Sequence, residues 1–252
     1  MSGHNKWSSI KHKKGAADAK RGKLFTKLIR EITVAAREGG GSLDANARLR
    51  LAVQKGKEAN MPAENIERAI KKGTGELEGV SYDNVSFEGY GIGGVAVIVE
   101  GLTDNRNRTT SEVRSTFTKR GGNMAGAGSV AFQFEKKGIF LVQAEGNEEE
   151  DLMAIAIDAG ADDFTSDEDF FQITCQPQDF DKVRTGLLAN SVKIESGELS
   201  MIPRNTVKVE DSETARKILT LVEELEDNDD VQNVYSNFDI PDEILKQIEN
   251  DS

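Results

Sequence analysis

Residues 87–102, "FEGYGIGGVAVIVEGL", decide which fold this chain can adopt. Gly89, Gly91 and Gly94 satisfy the spacing G-x-G-x-x-G, the pattern of a dinucleotide-binding turn. That chemistry needs a strand before the glycines and a helix directly after them, because the pyrophosphate rests on amides at the helix N-terminus. Directly after these glycines comes "VAVIVEGL", β-branched and of strand length. The glycines therefore predict a hairpin turn between "YDNVSFEGY" and "GGVAVIVEGL", and an antiparallel sheet rather than a doubly wound parallel one.

Downstream the same period-two pattern alternates with helical spacing. "TDNRNRTTSEVRSTFTKRGG" predicts a helix that starts at Asp104 or Asn105, carries Val113 and Phe117 on one face, and stops at Gly121–Gly122. "SVAFQFEKKGIFLVQAE" returns to strand, with a hairpin expected at Lys136–Gly138. Helices are expected over "EEEDLMAIAIDAGA", with acids in its first turn, and over "PQDFDKVRTGLLANS" and "SETARKILTLVEELEDN". Strands are expected in "DDFTSDEDFFQITC" (two, around an acidic turn), "VKIESGELSMIP" and "VQNVYSNFDI". Pro241 opens a last short helix. No long buried run of the parallel-sheet kind occurs, so the class is α+β with mostly antiparallel sheets covered by helices on one side.

Upstream, Leu24, Phe25, Leu28, Ile29, Ile32 and Ala36 fall at spacings of three and four, predicting an amphipathic helix from Lys23 to the "GGG" at 39–41. A second helix is expected from Asp44 as N-cap, with Leu49, Ala52, Val53 and Gly56 on one face. A third runs from Pro62 through Ile66, Ala69 and Ile70 to a stop at Gly73. Three short helices make a small bundle, short on large side chains, which therefore needs the preceding arm or another domain to cover it. The expected organisation is a basic helical domain with its arm (1–78), then two α/β sandwich-like domains, one inserted into the other. Shifts in hydrophobic pattern near 136 and Pro203 place the inserted domain at 137–203, within a domain of 79–136 plus 204–240. Residues 241–252 form a C-terminal helix and tail.

The 252 residues carry a formal net charge of −12, but unevenly. Residues 1–72 hold 17 Lys and Arg against 7 Asp and Glu, whereas 73–252 hold 15 against 37. Such asymmetry concerns partners and solubility rather than fold. No run approaches the length of a membrane span, and the N-terminus lacks the apolar core of a secretory signal. The single cysteine, Cys175, suits a buried small hydrophobe in a reducing cytoplasm.

Catalytic and metal-binding chemistry finds no footing. "GGNMAGAGSV" (121–130) lacks the lysine of a phosphate-binding Walker loop and reads as a flexible connection rather than an anion nest. Asp162, Asp163, Asp167, Glu168 and Asp169 lack the order and the glycine of a calcium loop. His4 and His12 have no Cys/His partners at zinc spacing, and Cys175 has no identifiable base. No catalytic residue, metal or cofactor is expected.

A binding surface is another matter. Lys6, Lys11, Lys13, Lys14, Lys20, Arg21 and Lys23, the two histidines and the α-amino group are opposed in the opening segment only by Asp18. Lysine-rich segments bind phosphate backbones by releasing condensed counterions, without needing a particular sequence. Residues 1–20 lack an apolar period, which predicts an extended or loosely ordered arm, and Lys27 continues the run along the first helix. Trp7 has two roles open to it, stacking on an exposed base or anchoring the arm to the bundle. The expected nucleic-acid contacts are thus Lys6, Trp7, Lys11, His12, Lys13, Lys14, Lys20, Arg21, Lys23 and Lys27. A secondary basic cluster, Arg106, Arg108 and Arg114, either adds to that surface or pairs with the surplus acids. The predicted partner is nucleic acid, not a membrane.

Four separated blocks, "GHNKWSSIKHKKGAADAKRGKLFTKL", "NMPAENIERAIKKGTG", "FEGYGIGGVAVIVEGLTDNRNRT" and "GGNMAGAGSVAFQF", resemble the signature blocks of the YebC-type family, in order and over nearly the whole chain. Asn5 and Ser8–Ser9 are mild variants. The family includes bacterial proteins described as transcriptional regulators and the mitochondrial translational activator of cytochrome c oxidase. The resemblance implies a three-domain cytosolic, bacterial-type protein that regulates gene expression by binding DNA. It also implies an alternative, a ribosome-associated translation factor that binds ribosomal RNA and relieves stalling at sequences such as proline runs.

Overall fold

Residues Asp18–Gly39 form the first helix, α1, which starts five residues before the apolar spacing predicts. Its opening turn is polar and so invisible to hydrophobic periodicity. The computed structural model describes residues 18–167 and 169–250. The rest of the predicted arm, with Lys6, Trp7, Lys11, His12, Lys13 and Lys14, lies outside the described residues, as does Glu168.

Helix α2 spans Ala47–Glu58, and its cap is Asn46 rather than Asp44. The Asn46 side-chain oxygen accepts the Leu49 N–H at 3.0 Å, while its amide nitrogen donates to the carbonyls of Ala35 and Gly40, both at 2.8 Å. An aspartate could cap but could not donate, so this position also ties α2 to α1. Helix α3, Ala63–Thr74, runs through Gly73 and ends at Gly75, whose φ of 83° is left-handed. Gly73 is a packing residue: a Cβ there would lie 2.3 Å from the Thr33 carbonyl of α1. Leu28, Ile32, Leu49, Val53, Ile66 and Ala69 fill the core between the three helices.

The glycine hairpin forms as the pattern predicts. Strand β1 (Asp83–Tyr90) pairs antiparallel with β2 (Ala96–Thr103), from Asp83↔Thr103 to Tyr90↔Ala96, around left-handed Gly93 and Gly94. Helix α4, Arg106–Lys119, is capped by Asn105, whose side chain accepts the Arg108 N–H, and buries Val113 and Phe117. Strand β3 (Asn123–Ala125) returns along β1.

Strand β4 is continuous from Phe134 to Gln143, which corrects the hairpin expected at Lys136–Gly138. Gly138 serves packing, not a turn, since a Cβ would come within 2.7 Å of both Cys175 Sγ and the Phe180 ring. Helix α5 (Glu149–Ala159), strands β5 (Asp163–Ser166) and β6 (Phe170–Cys175), helix α6 (Phe180–Ala189) and strand β7 (Ile194–Pro203) come next. These strands form an antiparallel sheet of order β5-β6-β4-β7, the split arrangement of a ferredoxin-like β-α-β-β-α-β unit. Its core includes Phe140 stacked on Phe180, with ring centroids 4.6 Å apart, and fully buried Cys175. Burial foremost, then the charges of Asp162 and Asp179, push that thiol up to about 11, so it behaves as a small hydrophobe.

Strand β8 (Val207–Lys208), helix α7 (Ser212–Glu226), strands β9 (Val231–Ser236) and β10 (Phe238–Asp239), and helix α8 (Asp242–Asn250) complete the described chain. Strand β9 comes back to pair with β2, giving a first sheet of order β3-β1-β2-β9, and β10 pairs parallel with β8. Helices α4, α7 and α8 cover one face of that sheet. Its other face, through Ala96, Ile98 and Tyr235, meets Val130 and Phe134 at the seam with the second sheet. The fold is thus α+β: an N-terminal three-helix domain, then two sheet-containing α/β domains.

The bundle gains its cover from both sheets. Leu51 of α2 packs against the core of the second sheet, flanked by Arg50–Asp181 at 2.6 Å and Lys55–Glu198 at 3.2 Å. On the other side α1 meets the end of α7.

Candidate nucleic-acid interface

Positions 23, 27 and 30 of α1 are spaced four and three apart and so share one helix face. That face turns toward the acidic segment "EDNDD" (226–230), where α7 ends. Lys23 Nζ donates to the Asp227 carbonyl at 3.3 Å and pairs with its carboxylate at 3.4 Å. Lys27 Nζ donates to the Glu226 carbonyl at 2.6 Å. Both ammoniums therefore sit where the dipole of α7 presents its negative end.

Arg30 reaches deepest. Its Nη1 donates to the carbonyls of Leu102 (3.2 Å) and Asp229 (2.7 Å) and to Asp230 Oδ1 at 2.5 Å, while the guanidinium lies 5.3 Å from the centre of the Tyr82 ring. Asp230 is buried, and its other oxygen, Oδ2, accepts from Thr109 (2.6 Å), Arg108 Nη2 (2.6 Å) and Thr103 (3.0 Å). Burial alone would raise its pKa. The bonds from Thr109, Arg108, Arg30 and Thr103 together outweigh it and hold the carboxyl down to about 2. One buried charge thus joins the helical domain to the first sheet.

The predicted contacts separate accordingly. The backbone of Lys20 lies in α1, Arg21 is exposed without an ion pair among the described residues, and Lys23 and Lys27 are engaged by the acidic segment. Of the secondary cluster, Arg108 is tied to Asp104 and Asp230, whereas Arg106 and Arg114 are exposed on α4. Arg108 thus takes the role of pairing with the surplus acids. Within the helical domain, Lys57 on α2 and Lys71 and Lys72 on α3 are also exposed and free of ion pairs among the described residues. Sequence reasoning missed Asp230. The signal available for it was the run of acids directly after an amphipathic helix, in a chain whose first helix carries a surplus of Lys and Arg.

The glycine-rich connection 126–131 is held rather than loose. Glu88 of β1 accepts the N–H groups of Gly128 (2.7 Å), Val130 (2.7 Å) and Ala131 (2.8 Å), and the Tyr90 hydroxyl donates to the Ser129 carbonyl at 2.9 Å. Burial raises the Glu88 pKa, but the three backbone bonds from Val130, Gly128 and Ala131 bring it below the ordinary value. The anion nest that the glycines allow exists, and the chain fills it with its own carboxylate. No described helix is long and apolar enough to cross a membrane.

Comparison with known proteins matches residues 5–76 to the family model described as TACO1/YebC protein N-terminal domain, and residues 82–238 to TACO1/YebC second and third domain. A relative from Syntrophobacter fumaroxidans, named probable transcriptional regulatory protein, is 57% identical over 248 residues, covering 98% of this chain and 100% of the relative. One from Geobacter sulfurreducens with the same name is 58% identical over 248 residues, with coverage of 98% and 100%. The crystal structure of a conserved hypothetical protein from Aquifex aeolicus superposes with a TM-score of 0.83 at 52% identity, covering 90% of this chain and 94% of that one.

Proposed function

The chain belongs to the TACO1/YebC family, and from that premise we propose that it is a nucleic-acid-binding regulator of gene expression, acting on DNA through its basic N-terminal arm and the start of α1. The regulatory role follows from the relatives, which are named probable transcriptional regulatory proteins. The observation that carries the nucleic-acid part is the charge partition, with 17 bases against 7 acids in the first 72 residues of an anionic chain. Lys6, Lys11, Lys13 and Lys14 supply phosphate contacts, His12 and Trp7 lie among them, and Lys20 and Arg21 extend the run onto a rigid helix. The acidic remainder carries a surplus of negative charge, so sequence-independent attraction for a polyanion is concentrated at the basic end.

Replacing Lys11, His12, Lys13 and Lys14 together with alanine tests this. Binding to duplex DNA should weaken, and the slope of log affinity against log salt should flatten by up to ~0.9 per lost contact. An unchanged slope removes the arm from the mechanism.

A second reading, a ribosome-associated factor that contacts RNA, is favoured by one feature. The cationic face of α1 points at its own acidic segment, so that face is not presented to a major groove as a reading helix would be. Sedimentation of lysate at moderate salt separates the two: co-migration with ribosomal particles selects RNA, and recovery of DNA fragments sharing a sequence selects DNA.

A further inference from the structure

Seven large apolar side chains are exposed among the described residues, and Phe132 is both the most exposed, at 69%, and the only aromatic one. Single exposed apolar residues are ordinary. What distinguishes Phe132 is how it is held. It sits on a tight turn, Ala131–Gln133, between Val130, fully buried, and Phe134, 4% exposed, so the backbone on both sides is anchored in the seam between the two sheets. The preceding four residues carry the Glu88 clamp and the Tyr90 bond. After it, the Gln133 carbonyl accepts the Arg204 N–H at 2.7 Å and the Gln133 side chain accepts from Asn237 at 3.3 Å. The backbone that carries the ring is therefore held by three separate chain segments, at Glu88–Tyr90, Arg204 and Asn237, rather than left in a loose loop.

Its surroundings leave room for a flat ligand, and the cleft lined by Arg204 also holds Lys137, Glu135, Asp162 and Asp163. Nothing lies within 4 Å of a Cβ built on Gly126 or Gly128, so the loop beside the ring can be approached closely. Arg204, whose backbone is bonded to the same turn, is exposed and forms no ion pair among the described residues. An exposed aromatic side chain on an anchored turn, with an arginine free of ion pairs among the described residues bonded to that turn through its backbone, is an arrangement that can stack a base and reach its phosphate. Paired bases are already stacked, so only an unpaired one can use it.

We propose that Phe132, presented by the clamped turn at the seam between the sheet domains, is a stacking site for an unpaired nucleobase, with Arg204 contacting the adjoining phosphate. This deepens the nucleic-acid reading above and rests on it: the arm supplies sequence-independent attraction, and the turn selects single-stranded segments of RNA or DNA.

The test uses the full chain and three probes of one sequence: a single-stranded RNA and a single-stranded DNA carrying a fluorescent adenine analogue, and their duplex. Phe132→Ala should weaken both single strands about tenfold and abolish the stacking-induced quench, while leaving duplex affinity and the salt slope unchanged. Phe132→Trp should retain the quench. Arg204→Ala should weaken single strands and flatten their slope. Loss on only one of the two single strands identifies whether RNA or DNA is the source. The high exposure of Phe132 makes these variants fold like the parent, which thermal unfolding checks. Unchanged single-strand affinity and quench in Phe132→Ala overturns the stacking site but leaves the arm standing. A parent chain that binds none of the three probes overturns both.

Discussion

Asp230→Asn isolates the buried charge that joins two domains. The substitution keeps the shape of the side chain but removes the negative charge from between Arg30 and Arg108, and replaces one acceptor oxygen by a donor that faces hydroxyls or guanidinium N–H groups. Stabilisation of the ionised form is gauged by its pKa, which falls from an ordinary 3.8 to about 2. That difference corresponds to ~2 kcal/mol, and breaking a buried ion pair by removing one partner costs about 3–5 kcal/mol. The expected loss at neutral pH is therefore about 3 kcal/mol. Because the folded pKa is depressed, the ionised group's contribution is fully present above pH ~4 and disappears as pH falls toward 2. The gap between parent and variant should be widest at neutral pH and shrink by ~2 kcal/mol across that acidic window. Urea unfolding followed by far-ultraviolet circular dichroism at a series of pH values measures it. Amide exchange in α1 should also accelerate, since Arg30 holds that helix against the first sheet. A gap below ~0.5 kcal/mol, or one that does not narrow in acid, would refute the assignment of Asp230 as the joint.

Two further substitutions probe the parts that position the surface. Glu88→Gln leaves the amides of Gly128, Val130 and Ala131 competing for one oxygen beside an NH2 group, which should cost about 1–3 kcal/mol in urea unfolding and speed exchange of those amides. The Glu88 pKa is lowered, so its contribution holds above its ordinary range near 4.5 and fades in acid below it, and unchanged protection at neutral pH would rule out the clamp. Gly73→Ala places a Cβ 2.3 Å from the Thr33 carbonyl and 2.7 Å from Ala36 Cβ. The helix-propensity gain of about 1 kcal/mol is smaller than the overpacking, so the helical domain should melt earlier, and a raised melting temperature would contradict the close packing of α1 on α3.

Elements were legible in the sequence where one face is apolar and the other polar. The hairpin around Gly93 and Gly94, the Asn105 cap of α4 and the acid-led α5 all come from local chemistry. Glycine was the residue that misled. Gly73 and Gly138 suggest a stop and a turn in the sequence, yet both lie inside regular elements, where the missing side chain admits a neighbour from elsewhere in the chain. That neighbour, Thr33 in one case and Cys175 in the other, is remote in sequence, and no local pattern encodes it. The nest at 128–131 was opaque for the same reason: its occupant, Glu88, lies some forty residues earlier on another strand.

The uneven charge has two physical uses, and magnitudes separate them. Arg30 is largely buried against an almost fully buried Asp230, with side chains 15% and 4% exposed, so moving it to an external phosphate would strand a charge in the interior at a cost of several kcal/mol. Lys23 and Asp227 are 48% and 74% exposed, and a pair of that kind is worth about 0–1 kcal/mol. An external phosphate can therefore take Lys23 from Asp227 at little cost, while Arg30 stays where it is. The basic helix is anchored at its inner end by part of its charge, while Arg21 toward its outer end is exposed and free of ion pairs among the described residues. An aspartate-to-lysine change at 227 should on this argument raise affinity for duplex DNA without lowering stability measurably, whereas the same change at 230 should prevent the two domains from docking.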